Sequence, residues 1–183
     1  MSAEQAPHLV ALRCLKCSAA LDGAPGDRVF LCPACPTAID LTHKGPVAYP
    51  VKFGGSGNGD YQLSWSLEGR VTVKRFAATE PASTPFGTVK PDDTTTLAVR
   101  FVVPATASSI GECYRAALAS VGERETSTAR VSGRGARAGF WGRSEAERVA
   151  HQVFLTLVSQ AKGEVHFIEF QIAVTACEIL ARS

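Results

Sequence analysis

The stretch RCLKCSAALDGAPGDRVFLCPACPTAIDL, residues 13–41, constrains this chain more than any other. It holds two CxxC pairs, Cys14/Cys17 and Cys32/Cys35. A CxxC turn puts two thiolates on one side of a tight knuckle. Two knuckles joined by a hairpin can surround one tetrahedral ion such as Zn²⁺. Fourteen residues separate Cys17 from Cys32, near the ~15–20 typical of four-cysteine zinc sites. The segment between them reads as a short hairpin. Asp22-Gly23 and Pro25-Gly26-Asp27 supply turns, and Arg28, Val29, Phe30 and Leu31 supply a returning strand. A disulfide framework would need a secretory context. The opening MSAEQAPHLVALRC has no basic segment followed by a long apolar run, so no secretory leader is expected.

Over roughly residues 10–41 the sequence resembles the zinc ribbon family. The resemblance implies that Cys14, Cys17, Cys32 and Cys35 are the ligands of a structural Zn²⁺. Four thiolates leave no open coordination position, so such an ion would hold a fold and would not activate water. The same ligands would suit iron as in rubredoxin, and a redox dithiol pair or disulfides are further readings. The sequence departs from the family just after each second cysteine, where glycine is usual: Ser18 stands in the first knuckle and Pro36 in the second. Proline has no N–H to offer to sulfur, so the second knuckle is expected to lose one supporting bond. The expected division is a zinc ribbon over residues 1–45 and an α+β domain over 46–183. Past the ribbon, the order of elements resembles uncharacterised bacterial proteins that begin with a CxxC…CPxC ribbon and continue into a strand-rich domain. That resemblance implies no activity.

The chain has 183 residues, 45% of them apolar, enough for an ordinary core. A formal net charge of +2 implies no polyelectrolyte partner. No run reaches the ~18 apolar residues of a membrane helix. A soluble protein of the reducing cytoplasm is expected.

Residues 47–53 read as a strand and 54–60 as a flexible loop or hairpin tip. Tyr61, Leu63, Trp65, Leu67, Val71 and Val73 fall on odd positions, the strand period. A two-residue turn at Glu68-Gly69 would mix polar and apolar faces. A three-residue turn or one long strand kinked at Gly69 keeps them clean. Residues 77–96, rich in Pro, Thr, Ser and Asp, read as a long surface loop, and 97–103 as a strand ended by Pro104.

A first helix is expected after Ser109, with Glu112 completing a capping box and Gly122 closing it. Its apolar stripe is Ile110, Cys113, Tyr114, Ala117, Leu118 and Val121. A second is expected from Ser144 with Glu147 as its box, ending at Gly163. Its stripe is Ala146, Val149, Ala150, Val153, Phe154, Leu157, Val158 and Ala161. Residues 164–174 form a strand that 175–181 either extends or turns back from. The expected class is α+β: an antiparallel or mixed sheet with two amphipathic helices behind a zinc ribbon.

Outside the ribbon, residues 126–143 stand out. They carry Arg130, Arg134, Arg137 and Arg143, no acidic residue, four glycines and the pair Phe140-Trp141. Arginine with glycine and aromatics suits phosphate contact and base stacking. The same residues could dock a protein partner or form a solvated loop. His8, His43, His151 and His166 are isolated and expected to be structural or exposed. Cys113 and Cys177 read as buried small hydrophobes, and Asp92-Asp93 as solvated. No HExxH, paired catalytic carboxylates or GxSxG elbow is present. The leading expectation is a non-enzymatic interaction protein that binds a protein partner in a larger assembly. The alternative is nucleic-acid binding through the ribbon and the 126–143 segment. Against the alternative, Arg13, Lys16, Arg28 and Lys44 are balanced by Glu4, Asp22, Asp27 and Asp40.

Overall fold

The computed structural model describes residues 12–55, 60–123, 135–160 and 164–183. The alternation of apolar residues from position 61 onward produces β4 (Gln62–Ala78), one strand of 17 residues. Its odd-numbered Leu63, Trp65, Leu67, Val71 and Val73 are buried, and Gln62, Glu68 and Arg70 between them are exposed. A sheet that covers one face and wets the other reads this way. There is no turn at Glu68-Gly69. The kinked alternative holds: Glu68 pairs with Ala176 and Gly69 with Val174, leaving Thr175 as the extra residue of a β-bulge. Gly69 is needed there, because a Cβ would run into the carbonyl oxygen of Ala173.

The partner of β4 in that ladder is β8 (Val165–Arg182), so residues 175–181 extend the last strand and do not turn back. On its other edge β4 pairs with β7 (Thr95–Pro104). At its C-terminal end β8 also meets β3 (Gly45–Gly54), in parallel. β2 (Thr37–Thr42) and β1 (Val29–Leu31) follow antiparallel. The sheet therefore has six strands in the order β1-β2-β3-β8-β4-β7 and is mixed. With α1 (Ile110–Ala119) and α2 (Arg143–Ser159) packed on it, the architecture is α+β. No helix among the described residues is long and apolar enough to cross a membrane.

Three local expectations change. Residues 77–96 are not one loop: β5 (Ala82–Thr84) and β6 (Gly87–Val89) form a small antiparallel hairpin that buries Ala82 and Val89. At α1 the Ser109 hydroxyl accepts from the Glu112 N–H at 3.2 Å, as expected. The Glu112 carboxylate, however, reaches back to the N–H and hydroxyl of Ser108 and not to Ser109. At α2 the cap is Gly142, not Ser144, and it makes no side-chain cap bond. The N–H of Arg143 is satisfied instead by the Asp40 carboxylate of β2 at 3.0 Å, and Glu147 holds the Arg143 guanidinium at 2.7 Å. A carboxylate at a helix N-terminus is favoured both as an acceptor and by the helix dipole. Gly163 lies outside the described residues.

The apolar residues form two cores. The large one lies between the helices and the sheet and includes Trp65, Phe101, Val153 and Phe154. The small one consists of Cys14, Leu21, Phe30, Cys32 and Ile39. Strand alternation places β1 and β2 between them. Val29 and Ala38 face the large core, while Phe30 and Ile39, a cross-strand pair, face the small one.

Candidate metal centre

The first knuckle runs from Cys14 to Ser18. The Ser18 N–H donates to the Cys14 carbonyl at 2.9 Å, and the Cys14 N–H to the Ala19 carbonyl at 2.9 Å. Closing the turn puts Ser18 at φ 61°, the left-handed region where glycine is at ease and other residues are strained. The second knuckle closes differently. Pro36 has no N–H, so the turn is tied one residue later. There the Thr37 N–H donates to the Cys35 carbonyl at 2.8 Å and the Cys32 N–H to the Thr37 carbonyl at 2.9 Å. Each knuckle offers one backbone N–H to sulfur at 3.4 Å, from Lys16 to Cys14 and from Ala34 to Cys32. The effect of Pro36 therefore shows in the backbone closure, with no counterpart to the Ser18 bond among the described residues.

These turns bring four sulfurs together. All four Sγ atoms lie within 4.8 Å of one another. Cys14 and Cys35 are 3.6 Å apart, and Cys17 and Cys32 are 3.4 Å apart. A tetrahedron of sulfurs about 2.3 Å from a central Zn²⁺ has edges of about 3.8 Å. A disulfide would need about 2.05 Å, and all four cysteines are free. The group therefore fits a metal ion, and a closed tetrahedral one. Cys14 and Cys32 are buried, Cys35 is half-buried and Cys17 faces solvent. Burial pushes the Cys32 thiol up to about 12 and also raises Cys35. At Cys14 burial acts the same way, but the N–H groups of Lys16 and Cys17 and the adjacent thiols outweigh it and bring the thiol down to about 7. Cys32 and Cys35 therefore hold their protons unless a cation takes the protons' place.

Behind the cysteines, a polar group ties this lobe to α2. Arg28 pairs with Glu145 at 3.0 Å and donates to the Leu41 carbonyl at 3.3 Å. Asp40 is buried, and burial raises its carboxyl above the usual range, although the Arg143 N–H and the Arg28 charge oppose this. One oxygen each of Asp40 and Glu145 is buried with no partner among the described residues. The sequence reading missed this group. Its signal was an acid, Asp40, inside the apolar strand TAIDLT.

Of the 126–143 segment, Arg130 and Arg134 lie outside the described residues. The part from 135 onward is bound into the fold. Gly139 bridges to Val29, Ala136 bridges to Tyr61, and the N–H groups of Phe140 and Trp141 both donate to the Ala105 carbonyl. The Trp141 indole donates to the Ala107 carbonyl at 2.9 Å, and the Trp65 indole donates to the Trp141 carbonyl at 2.8 Å. Arg143 is engaged with Glu147, whereas Arg137 and Phe140 are exposed.

The remaining titratable candidates are scattered. His43 is exposed in the β2–β3 turn. His151 is exposed and stacks on Phe170 with ring centroids 5.2 Å apart. His166 is exposed, 4.0 Å from Glu164. The Cys113 thiol is buried, donates to the Pro104 carbonyl at 3.1 Å and is pushed up to about 11 by burial. Cys177 is half-buried and likewise raised to about 11, first by burial. A nucleophilic cysteine needs the opposite shift. Compared with known proteins, the chain matches no family model, no curated protein and no solved structure.

Proposed function

We propose that this chain is a non-enzymatic accessory protein whose N-terminal zinc ribbon carries one structural Zn²⁺ on Cys14, Cys17, Cys32 and Cys35 and contacts a protein partner. The convergence of four sulfurs within 4.8 Å carries this reading. Four thiolates in a closed set favour zinc over hard cations such as calcium and magnesium, and the elemental analysis below separates zinc from the iron that the same ligands would accept. Free thiolates suit a reducing cytoplasm. The division into a ribbon of residues 1–45 and an α+β unit of 46–183 belongs to the same proposal. Supporting it, the small core draws on residues 12–41, with Ala138 alone packing in from outside.

Protein contact is placed ahead of nucleic acid for two reasons. Trp141 and Arg143, which a nucleic-acid interface would use, are already engaged inside the protein. Leu15, at the tip of the first knuckle, is 56% exposed, an apolar contact offered beside a rigid turn.

Elemental analysis of purified full-length protein tests the metal assignment. One zinc per chain is expected, and Co²⁺ substitution should give the ligand-to-metal and d–d absorption of a tetrahedral tetrathiolate. Metal-free protein with the same fold overturns it. The choice of partner is tested by capture with and without nuclease. Nucleic acid in the untreated eluate, bound with a steep salt dependence, would replace the protein-contact reading.

A further inference from the structure

The two edges of β8 are unequally used. One is paired with β4 from Val165 to Arg182. The other meets β3 only at Ile179, Leu180, Ala181 and Arg182. Among the described residues, nothing pairs with that second edge before Ile179. Before Val51, β3 parts from β8 and pairs with β2 alone. Its Lys52 still reaches Glu178 at 2.8 Å, while Tyr49 lies over Trp65 with ring centroids 4.9 Å apart. Among the described residues, 165–176 are left as an open edge, and its regular part, 167–174, is about 26 Å long.

Such an edge is a row of backbone donors and acceptors ready to pair, and proteins usually blunt it with lysine, proline or a short strand. The segment VHFIEFQIAVTA has no lysine and no proline, and its bulges, at His166 and Thr175, lie at its two ends and leave 167–174 unblunted. Between the bulges its even-numbered residues face α2: the Phe170 ring lies 4.9 Å from that of Phe154. Ile168, Phe170, Ile172 and Val174 stay half-exposed beside the open edge, and Phe167 on the opposite face is 52% exposed.

We propose that this edge is a homodimer interface, in which β8 of a second copy of the chain pairs with it antiparallel across a two-fold axis. The segment's fit to itself selects this occupant. An antiparallel self-pairing is isologous, and faces match only when even residues oppose even ones. Phe170 lies near the middle of the open segment. With Phe170 opposite its own copy, Ile168 meets Ile172, Phe167 meets Ala173 and Glu169 meets Gln171, all within the regular stretch between the bulges at His166 and Thr175. No like charges oppose one another; Ile168, Phe170 and Ile172 cover each other across the axis, and Val174 meets His166. No proposed metal ligand lies on this edge, so the dimer and the metal assignment stand or fall separately.

Sedimentation velocity on the full, metal-loaded chain should show a species of twice 19.3 kDa. The pair Phe167→Lys with Ala173→Lys, both at exposed positions, opposes like charges at two places. It should weaken the dimer about tenfold or more while circular dichroism and metal content stay unchanged. Phe167→Lys with Ala173→Glu opposes unlike charges and should restore the dimer. A chain that is monomeric at every concentration overturns the proposal, as does a dimer indifferent to both pairs. A monomer whose 165–176 amides all resist exchange overturns it as well, because then the chain covers this edge with its own residues.

Discussion

The two cores of this protein are built on different principles. The large one buries Trp65, Tyr61, Phe76, Phe101 and Phe154 with many aliphatic neighbours, so removal of apolar area from water can hold it together. The small one has five buried residues, two of them cysteines, and a cluster that size is below what burial alone sustains. The difference teaches that burial of area can hold one end of a sheet while the other needs a further tie, which the proposed cation would supply. Each end should then fail for its own reason.

Chelation should break the comparison most sharply. Removing the metal, or replacing Cys32 with Ser, should unfold residues 12–42 while β4 and β7 stay folded, because metal binding and folding of such a lobe are one event. Hydrogen exchange resolved by segment measures this. Uniform loss of protection would mean that the two cores share one stability. Next in size, Trp65→Ala should cost about 3–5 kcal/mol by denaturant titration, since a fully buried aromatic and its indole bond to Trp141 are lost. The zinc content should not change.

A smaller effect concerns the junction. Burial raises the Asp40 carboxyl, so the folded state binds its proton more tightly than the unfolded state does. Its contribution is therefore full below about pH 4 and is lost as pH rises through the raised value. Asp40→Asn keeps an acceptor for the Arg143 N–H and removes this dependence. The variant's unfolding free energy relative to the native protein should climb from acid to neutral pH. A flat or falling difference would show that Asp40 is not penalised by burial. Smallest of all, Ser18→Gly should relieve the left-handed φ of 61° and tighten metal retention in competition with a chelator, by about 1 kcal/mol or less. Unchanged or weaker retention would show that Ser18 carries no strain.

What the sequence made legible was local and periodic. Odd-position alternation marked β4, Gly69 marked its kink, and the four cysteines marked their own meeting place. What it hid depends on distant partners. The hairpin at 82–89 sits in a polar stretch, and its Ala82 and Val89 are buried because they join the large core, with α2 packed against β5. Ser144 looked like the cap of α2, but the acceptor comes from Asp40, 103 positions away in the chain. No window of sequence contains both. The Arg/Gly/aromatic stretch looked free for the same reason: the carbonyls of Ala105 and Ala107 and the edge of β1 that hold its second half are far off in sequence.

The β1–β2 hairpin is a partition with a different lining on each side. Sulfur positions fix which residues of that partition look outward to the ligands and which look inward to α2. Inserting a single residue between Leu31 and Cys32 would shift the thiols against the pleat by one step. To bring the four sulfurs back together, the hairpin would have to slide, turning Phe30 and Ile39 toward the space that Val29 and Ala38 now fill. The spacing of the cysteines thus acts as a gauge for side chains more than a hundred residues downstream.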